Sequence, residues 1–92
     1  MTKYILRLYI LGNTKGSEKT LTNLKTLLDD ELSNQYSLEI IDLLQNPQLA
    51  EEDKIFATPT VVKVLPGPIR KVVGDLANKQ KVLVGLDLAR ID

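Results

Sequence analysis

The side chains that could do chemistry in this sequence are hydroxyls, carboxylates and amines, because its 92 residues include no cysteine and no histidine. Without cysteine, disulfides, thiolate catalysis and cysteine-bound zinc are excluded. Without histidine, the commonest general base and the commonest metal ligand are missing. Any enzyme made from this chain would therefore depend on serine, lysine or carboxylate groups.

Ser17 is a candidate nucleophile in the glycine-containing stretch Gly12–Ser17. It could attack a substrate or activate glutathione, but no histidine base accompanies it and no lysine or carboxylate substitute is evident. Its better interpretation is a helix cap, because serine is favoured at that position. Gly12 and Gly16 also lack the Gly-Lys-Ser/Thr ending of a phosphate loop. We predict no catalytic residue and no cofactor.

Two acidic runs, Asp29–Glu31 and Glu51–Asp53, are the candidate metal ligands. Adjacent carboxylates on a helix point in different directions, and the oxygen-rich loop that hard cations favour is absent. We therefore predict no metal site. The first run is interpreted as a solvated helix face, with a charged contact to a partner as the alternative.

Basic residues flank a turn with the sequence Pro66-Gly67-Pro68. Two interpretations stay open: charges on an edge strand that discourage aggregation, or a small patch that docks an acidic partner. The residues concerned are Lys63, Arg70 and Lys71. A nucleic-acid ligand is not expected, because 12 basic residues are balanced by 12 acidic ones.

The elements that carry these residues follow from the hydrophobic pattern. Residues 3–13 alternate as a strand, residues 17–32 show leucines at helical spacing, and residues 36–44 form a second strand. Strand, helix and strand in this succession predict a right-handed βαβ unit with parallel strands. Asn46 is predicted to cap a short helix whose first residue is Pro47.

The second half adds a hairpin and one ambiguous segment. Two β-branched runs, 58–65 and 69–75, are separated by the proline turn and predict a β-hairpin. Residues 81–89 fit both a strand alternation and a helical stripe, so local pattern leaves both open. With a helix there, the order is β-α-β-α-β-β-α, which is typical of a thioredoxin-like α/β domain. Pro59, after Thr58, occupies the position of the cis proline of that fold.

Several stretches resemble the KaiB family of circadian-clock proteins. They are KYILRLYILGN near the start and NPQLAEEDKI, ATPT, GDL and GLDL in the second half, so that the resemblance spans nearly the whole chain. It implies a single domain over residues 1–92 that is metamorphic, meaning that one sequence adopts two folds.

The resemblance implies a thioredoxin-like state with a helical last segment, which is the state that binds the clock ATPase KaiC, and a ground state ordered β-α-β-β-α-α-β in which that segment is a strand. The ground state self-associates, usually as a tetramer, and we expect the structure to show it because the family usually crystallises in that form. Two packings coexist only if their free energies differ by a few kcal/mol. The positions assigned to the switch are Tyr4, Pro59, Pro66, Gly67, Pro68, Gly85 and Asp87.

Gly85 lies in the middle of the ambiguous segment. Glycine costs roughly 1 kcal/mol relative to alanine in a helix interior. We therefore predict that Gly85→Ala favours the helical state by up to about 1 kcal/mol.

The resemblance also implies partners: the clock ATPase KaiC, bound on its first ATPase ring, KaiA, which is sequestered, and a clock sensor kinase, which is displaced. KaiA is expected at the edge of the second strand, near Glu39 and Ile40. Contacts to KaiC are predicted at Glu51, Glu52, Asp53, Lys54, Lys63 and Arg70.

Two rival functions stay open. One is a KaiB-like stress regulator that does not act through KaiC, and the other is a thioredoxin-like enzyme that uses Ser17. No signal peptide and no stretch long enough to span a membrane is visible in the sequence, so we expect the cytoplasm.

Overall fold

The computed structural model describes residues 4–88, which form seven elements in the order β-α-β-α-β-β-α. The thioredoxin-like order is confirmed, and the expectation of the β-α-β-β-α-α-β ground state was wrong. The predicted start of the first strand at Lys3 and the end of the last segment at Ala89 lie outside the described residues. The elements are β1 (Tyr4–Ile10), α1 (Lys15–Leu32), β2 (Tyr36–Asp42), α2 (Gln48–Glu52), β3 (Thr60–Leu65), β4 (Arg70–Val73) and α3 (Lys79–Gly85).

The strands form one mixed sheet in the order β2-β1-β3-β4. β1 and β2 are parallel, as the predicted βαβ unit requires, whereas β3 pairs antiparallel with both β1 and β4. The predicted hairpin is therefore β3–β4. β2 and β4 are the two edges, and β1 and β3 lie inside.

The main core lies on the sheet face that α1 and α3 cover. β1 contributes the alternate residues Leu6, Leu8 and Ile10 to this face, as its strand period predicts. The helices contribute buried leucines and valines at helical spacing. These are Leu24, Leu27, Leu28 and Leu32 from α1, and Val82 and Leu83 from α3, with Leu86 and Leu88 after it.

The opposite face of the sheet has a smaller core under α2. Tyr9 of β1, Ile41 of β2 and Val62 of β3 are buried there with Leu43 and Ile55. Because α2 has only five residues, it covers one part of this face, and polar side chains occupy the sheet surface beside it.

α3 settles the ambiguous last segment as a helix. The Asn78 side chain accepts a hydrogen bond from Lys81 N at 3.0 Å, which caps the helix at its start. A helical turn then places Val82, Leu83 and Leu86 on the core side together. This local cap and stripe explain why the helical state is the one observed here.

α3 ends in a Schellman motif. Asp87 N donates to Val84 O at 3.1 Å and Leu88 N donates to Leu83 O at 2.8 Å. The motif requires a left-handed residue after the helix, and Asp87 has a φ of 58°. Leu88 is buried, so the hydrophobic contact that accompanies such motifs is present.

Two predicted helix caps were wrong. α1 is capped by Thr14, whose hydroxyl accepts from Ser17 N at 3.0 Å, so the helix begins before Ser17. α2 begins at Gln48, and Pro47 is its N-cap with no side-chain cap bond. The Asn46 amide instead donates to Asp42 O at 3.3 Å, because the chain turns back towards the end of β2 at that point.

The acidic end of α1 has intramolecular partners that sequence did not predict. Lys79 Nζ lies 2.9 Å from Glu31 Oε1, and the Tyr36 hydroxyl donates to Asp29 Oδ1 at 2.6 Å. The hydrogen bond from Lys79 to Glu31 also raises the pKa of that lysine. Burial, assisted by the bond to Asp29, raises the pKa of Tyr36 to about 12.

Candidate interaction surfaces

A cavity of about 380 Å³ lies where α1 begins beside the cis Thr58–Pro59 bond. This is the position of the reactive thiol in thioredoxin-like enzymes, and here hydroxyls of threonine and serine line it. The prediction that Pro59 is cis is confirmed. The cavity has no strong nucleophile, because its side chains are Ile10, Leu11, Thr14, Ser17, Thr20, Thr58 and Pro59, with Gly16 between them.

Ser17 is held by structural hydrogen bonds rather than by a base. Its Oγ donates to Gly12 O at 2.8 Å, and it accepts from the Thr14 hydroxyl at 3.2 Å. A carbonyl oxygen and a hydroxyl cannot remove the serine proton at neutral pH. The arrangement fixes the loop before α1, in which Gly12 has a φ of 84° and a Cβ would lie 2.9 Å from Leu44 Cδ1.

A polar network crosses the sheet face beside α2, and Asp53 is at its centre. The Tyr9 hydroxyl donates to Asp53 Oδ2 at 2.6 Å, and Arg7 Nη1 lies 3.8 Å from the same oxygen. Arg7 Nε also donates to Glu39 Oε1 at 3.1 Å. Burial raises the pKa of Tyr9, and the bond to Asp53 raises it further, so its hydroxyl stays a donor.

Lys71, on the edge strand β4, forms hydrogen bonds to the backbone immediately after α2. Its Nζ donates to Asp53 O at 2.9 Å and to Lys54 O at 3.2 Å. A cation at this point satisfies carbonyl groups that the short helix leaves without partners. The turn after α2 is thus held by both β1 and β4.

An apolar groove of about 350 Å³ lies between this turn and β4. Phe56 is 90% exposed and Val73 is 45% exposed, so large apolar side chains face solvent here. Lysine ammonium groups border the apolar surface. We call this surface the α2–β4 groove, and its residues are Lys54, Ile55, Phe56, Ala57, Thr60, Lys71 and Val73.

The predicted KaiC contacts separate into two groups. Glu51, Glu52 and Lys54 are exposed at the end of α2, and Arg70 is exposed at the start of β4. Asp53 points towards the sheet, where Tyr9 and Arg7 hold it. The structure therefore places four of these side chains where a partner can reach them.

Lys63 is not a surface charge. It is only 2% exposed, because β3 is an inner strand and Lys63 lies on the face that carries the main core, beside Leu6 of β1 and Arg70 of β4. The interpretation of Lys63 as an edge-strand charge was therefore wrong, whereas Arg70 and Lys71 do lie on an edge strand.

The predicted KaiA region, Glu39 and Ile40, lies on the other edge strand, β2. Ile40 is 44% exposed on the α1 side of the sheet. Glu39 lies on the opposite face, where its carboxylate binds Arg7. The outer backbone edge of β2 has no neighbouring strand among the described residues.

The predicted fold-switch positions are dispersed. Tyr4 begins β1 and packs against the main core, and Gly67 has no neighbour near its Cβ direction. Gly85 is the last residue of α3, and a Cβ there would clash with Val72 Cγ2. The remaining positions share unusual backbone geometry: Pro59, Pro66 and Pro68 follow cis bonds, and Asp87 has a positive φ.

Three residues of these surfaces were missed from the sequence: Arg7, Tyr9 and Phe56. Arg7 and Tyr9 look like ordinary strand residues, because their partner Asp53 is 44 residues away from Tyr9. The sequence could have indicated Phe56 as a contact residue, since it is the chain's single phenylalanine and follows a polar helix.

No helix among residues 4–88 is long and apolar enough to cross a membrane. Within the same residues, no group of three or more acidic side chains is arranged to hold a metal ion.

The sequence matches known circadian-clock proteins. The family model described as "KaiB domain" matches residues 7–88. The circadian clock oscillator protein KaiB of Gloeothece citriformis is 59% identical over 85 residues, which cover 92% of this chain and 80% of that protein. The protein of the same name from Thermosynechococcus vestitus is 56% identical, with 92% and 79% covered.

The structural comparisons identify the fold. The N-terminal domain of Synechococcus elongatus SasA matches with a TM-score of 0.77 at 24% identity, over 91% of this chain and 81% of that one. Mitochondrial thioredoxin 3 from Saccharomyces cerevisiae matches with a TM-score of 0.70 at 18% identity, over 95% and 79%. The described fold is therefore thioredoxin-like.

Proposed function

Because the chain belongs to the KaiB family, we propose that it acts as a circadian-clock adaptor that binds a KaiC-type ATPase and modulates its phosphorylation. The element order supports this role, since the KaiB resemblance assigns KaiC binding to the thioredoxin-like state. The role is that of a binding protein rather than an enzyme, which agrees with the hydrogen bonds that occupy Ser17. We expect the protein to act in the cytoplasm and to self-associate when it does not hold KaiC.

The observation that carries the proposal is the α2–β4 groove. Phe56 is almost fully exposed, and burying a phenylalanine contributes roughly 1.5–3 kcal/mol. Lys54 and Lys71, both exposed, border the groove, and the exposed Arg70 lies on β4 on the opposite face of the sheet. An aromatic anchor with a charged rim is the usual composition of an interaction hot spot. An apolar and acidic surface on the ATPase ring fits this groove.

The edge of β2 is the proposed site for KaiA. An edge strand offers unpaired backbone groups to a partner, and Ile40 adds an exposed apolar side chain. The two edges of the sheet lie on opposite sides of the molecule, because β1 and β3 separate them. KaiC and KaiA can therefore be held at the same time.

The test is binding to the cognate KaiC hexamer in the presence of ATP, followed over time by gel filtration. We expect slow association over minutes to hours. Phe56→Ala should weaken binding by about tenfold or more, since it removes a groove contact, and Arg70→Glu should do the same, since it reverses the charge of a predicted KaiC contact on β4. Neither substitution should unfold the protein, because both side chains are exposed.

Matched controls lie away from the groove and from the ambiguous segment. Leu44→Ala removes an apolar side chain that is 65% exposed after β2, and Lys25→Glu reverses an exposed charge on α1. Both should bind KaiC like the wild type. Absence of any complex with the wild-type protein after a day of incubation would remove KaiC from the proposal and favour the stress-regulator alternative.

A further inference from the structure

The turn after α2, residues 53–56, is a Schellman motif at the end of a helix of only five residues. Lys54 occupies its left-handed position with a φ of 57°, which is less favourable for lysine than for glycine. Within the turn, Ile55 N donates to Ala50 O at 2.7 Å and Lys54 N donates to Glu51 O at 3.2 Å. The further contacts come from the sheet.

The contacts from the sheet reach both the side chain and the backbone carbonyl of Asp53. Its carboxylate accepts from Tyr9 and faces Arg7, both on β1, and its carbonyl accepts from Lys71 on β4. Beyond Lys54, Ile55 is buried in the smaller core and Phe56 is exposed. Asp53 and Ile55 thus anchor the turn to the sheet, and the exposed Lys54 and Phe56 are their neighbours in the chain.

We propose that Asp53 is a positioning residue, which holds the turn so that Lys54 and Phe56 are presented to the partner and does not itself contact that partner. This inference rests on the proposed function for its partner but on the structure alone for its geometry. Tyr9 is the informative residue, because it is 1% exposed and cannot touch a partner directly. An effect of Tyr9→Phe on binding is therefore indirect, and the hydrogen bond to Asp53 is the contact of its hydroxyl that reaches the turn.

Three variants separate positioning from direct contact. Tyr9→Phe removes the donor, Asp53→Ala removes the acceptor, and Asp53→Asn keeps an oxygen that can accept from Tyr9 while removing the charge. Tyr36→Phe is the matched control, because it deletes another tyrosine–aspartate bond of 2.6 Å, to Asp29 at the far end of α1.

The first measurement needs no partner. Amide hydrogen exchange at Ile55 should become about tenfold faster or more in Tyr9→Phe and Asp53→Ala, because the bond to Ala50 opens more often. The Leu43 amide, bonded to Ile10 O at 2.9 Å, should be unchanged. The Tyr36→Phe control should leave Ile55 unaffected. Unchanged exchange at Ile55 in both Tyr9→Phe and Asp53→Ala would overturn the proposal.

The second measurement is affinity for the KaiC hexamer. Tyr9→Phe and Asp53→Ala should weaken binding by a similar factor, about tenfold, the double variant should be no weaker than either, and Asp53→Asn should retain most of the affinity. If Asp53→Asn loses as much as Asp53→Ala while Tyr9→Phe binds normally, Asp53 contacts the partner directly and the proposal is wrong. If the wild type does not bind, the proposed function fails, and the exchange measurement still decides the geometry.

Discussion

At the scale of single residues, Asp87 is one of the non-glycine residues with a left-handed backbone conformation. It occupies the left-handed position that ends α3, where glycine is favoured because a Cβ is strained there. Its carboxylate also lies at the negative end of the helix dipole. Both effects make this residue unfavourable for the fold in which it is seen.

We predict that Asp87→Gly raises the free energy of unfolding by about 0.5–1 kcal/mol, because it relieves the left-handed strain. Asp87→Asn separates the two causes, since it removes the charge but tolerates the same φ. Asp87→Val should lower stability, because a β-branched residue fits that φ poorly. Urea denaturation of the variants measures all three, and an Asp87→Gly protein no more stable than the wild type would contradict the account.

The contacts and burial of single residues were the features least predictable from the sequence. The orientation of Asp53 depends on Tyr9, and the burial of Lys63 depends on the position of β3 inside the sheet. Neither follows from local pattern, because strand order and contacts between distant residues are properties of the assembled sheet. The cap of α1 was predicted at Ser17 rather than at Thr14 because both residue types are favoured as N-caps. Only the residue at which the helix begins distinguishes the two positions.

At the scale of elements, α3 and β4 meet at Gly85. The absence of a side chain allows Val72 to approach, since a Cβ at Gly85 would clash with Val72 Cγ2. Val72 is buried and β-branched, so it cannot rotate away freely. The prediction that Gly85→Ala favours this helix therefore combines a helix gain of up to about 1 kcal/mol with a packing cost of roughly 1–3 kcal/mol.

We predict that these two contributions are coupled. Gly85→Ala should be more favourable to this fold in a Val72→Ala background than with valine present, by about 1 kcal/mol or more. A double-mutant cycle measured by urea denaturation gives the coupling. Additive effects of the two substitutions would show that Val72 moves aside at little cost and that helix propensity alone determines the effect of Gly85→Ala.

Elements were predictable where each carries its own signal. The first six, in their observed order, follow from strand alternation, leucine spacing, the Asn46–Pro47 helix start and the proline turn. Residues 81–89 were the exception, because a strand and a helix both fit their pattern. Asn78, three residues before that segment, supplied the deciding hydrogen bond, and the sequence interpretation gave it no role.

At the scale of the whole molecule, the two orders implied by the KaiB resemblance both begin β-α-β and diverge after β2. The cap at Asn78 belongs to the thioredoxin-like order, whereas the cap at Thr14 belongs to the first helix, which both orders contain. Removing either cap lowers the stability of its helix by about 1 kcal/mol, but only removal of the Asn78 cap changes the relative populations of the two orders.

We predict that Asn78→Ala shifts the population about fivefold away from the thioredoxin-like order, and that Asp87→Gly shifts it in the opposite direction. Thr14→Ala should lower stability without changing the ratio. Paired NMR signals from the β4 and α3 amides measure the two populations. If Asn78→Ala and Thr14→Ala change the ratio of the two populations equally, the second half of the chain does not determine which order is favoured.

The central position of β1 has a consequence for synthesis on the ribosome. The edge of β1 that faces β2 can form its backbone hydrogen bonds as soon as residue 42 has emerged. Its other edge stays unpaired until β3, which ends at residue 65, has been synthesised. At about 5–20 residues per second, that edge stays unpaired for roughly 1–5 s. An unpaired inner strand rich in leucine is a template for aggregation, so nascent chains of this protein are most vulnerable during that interval.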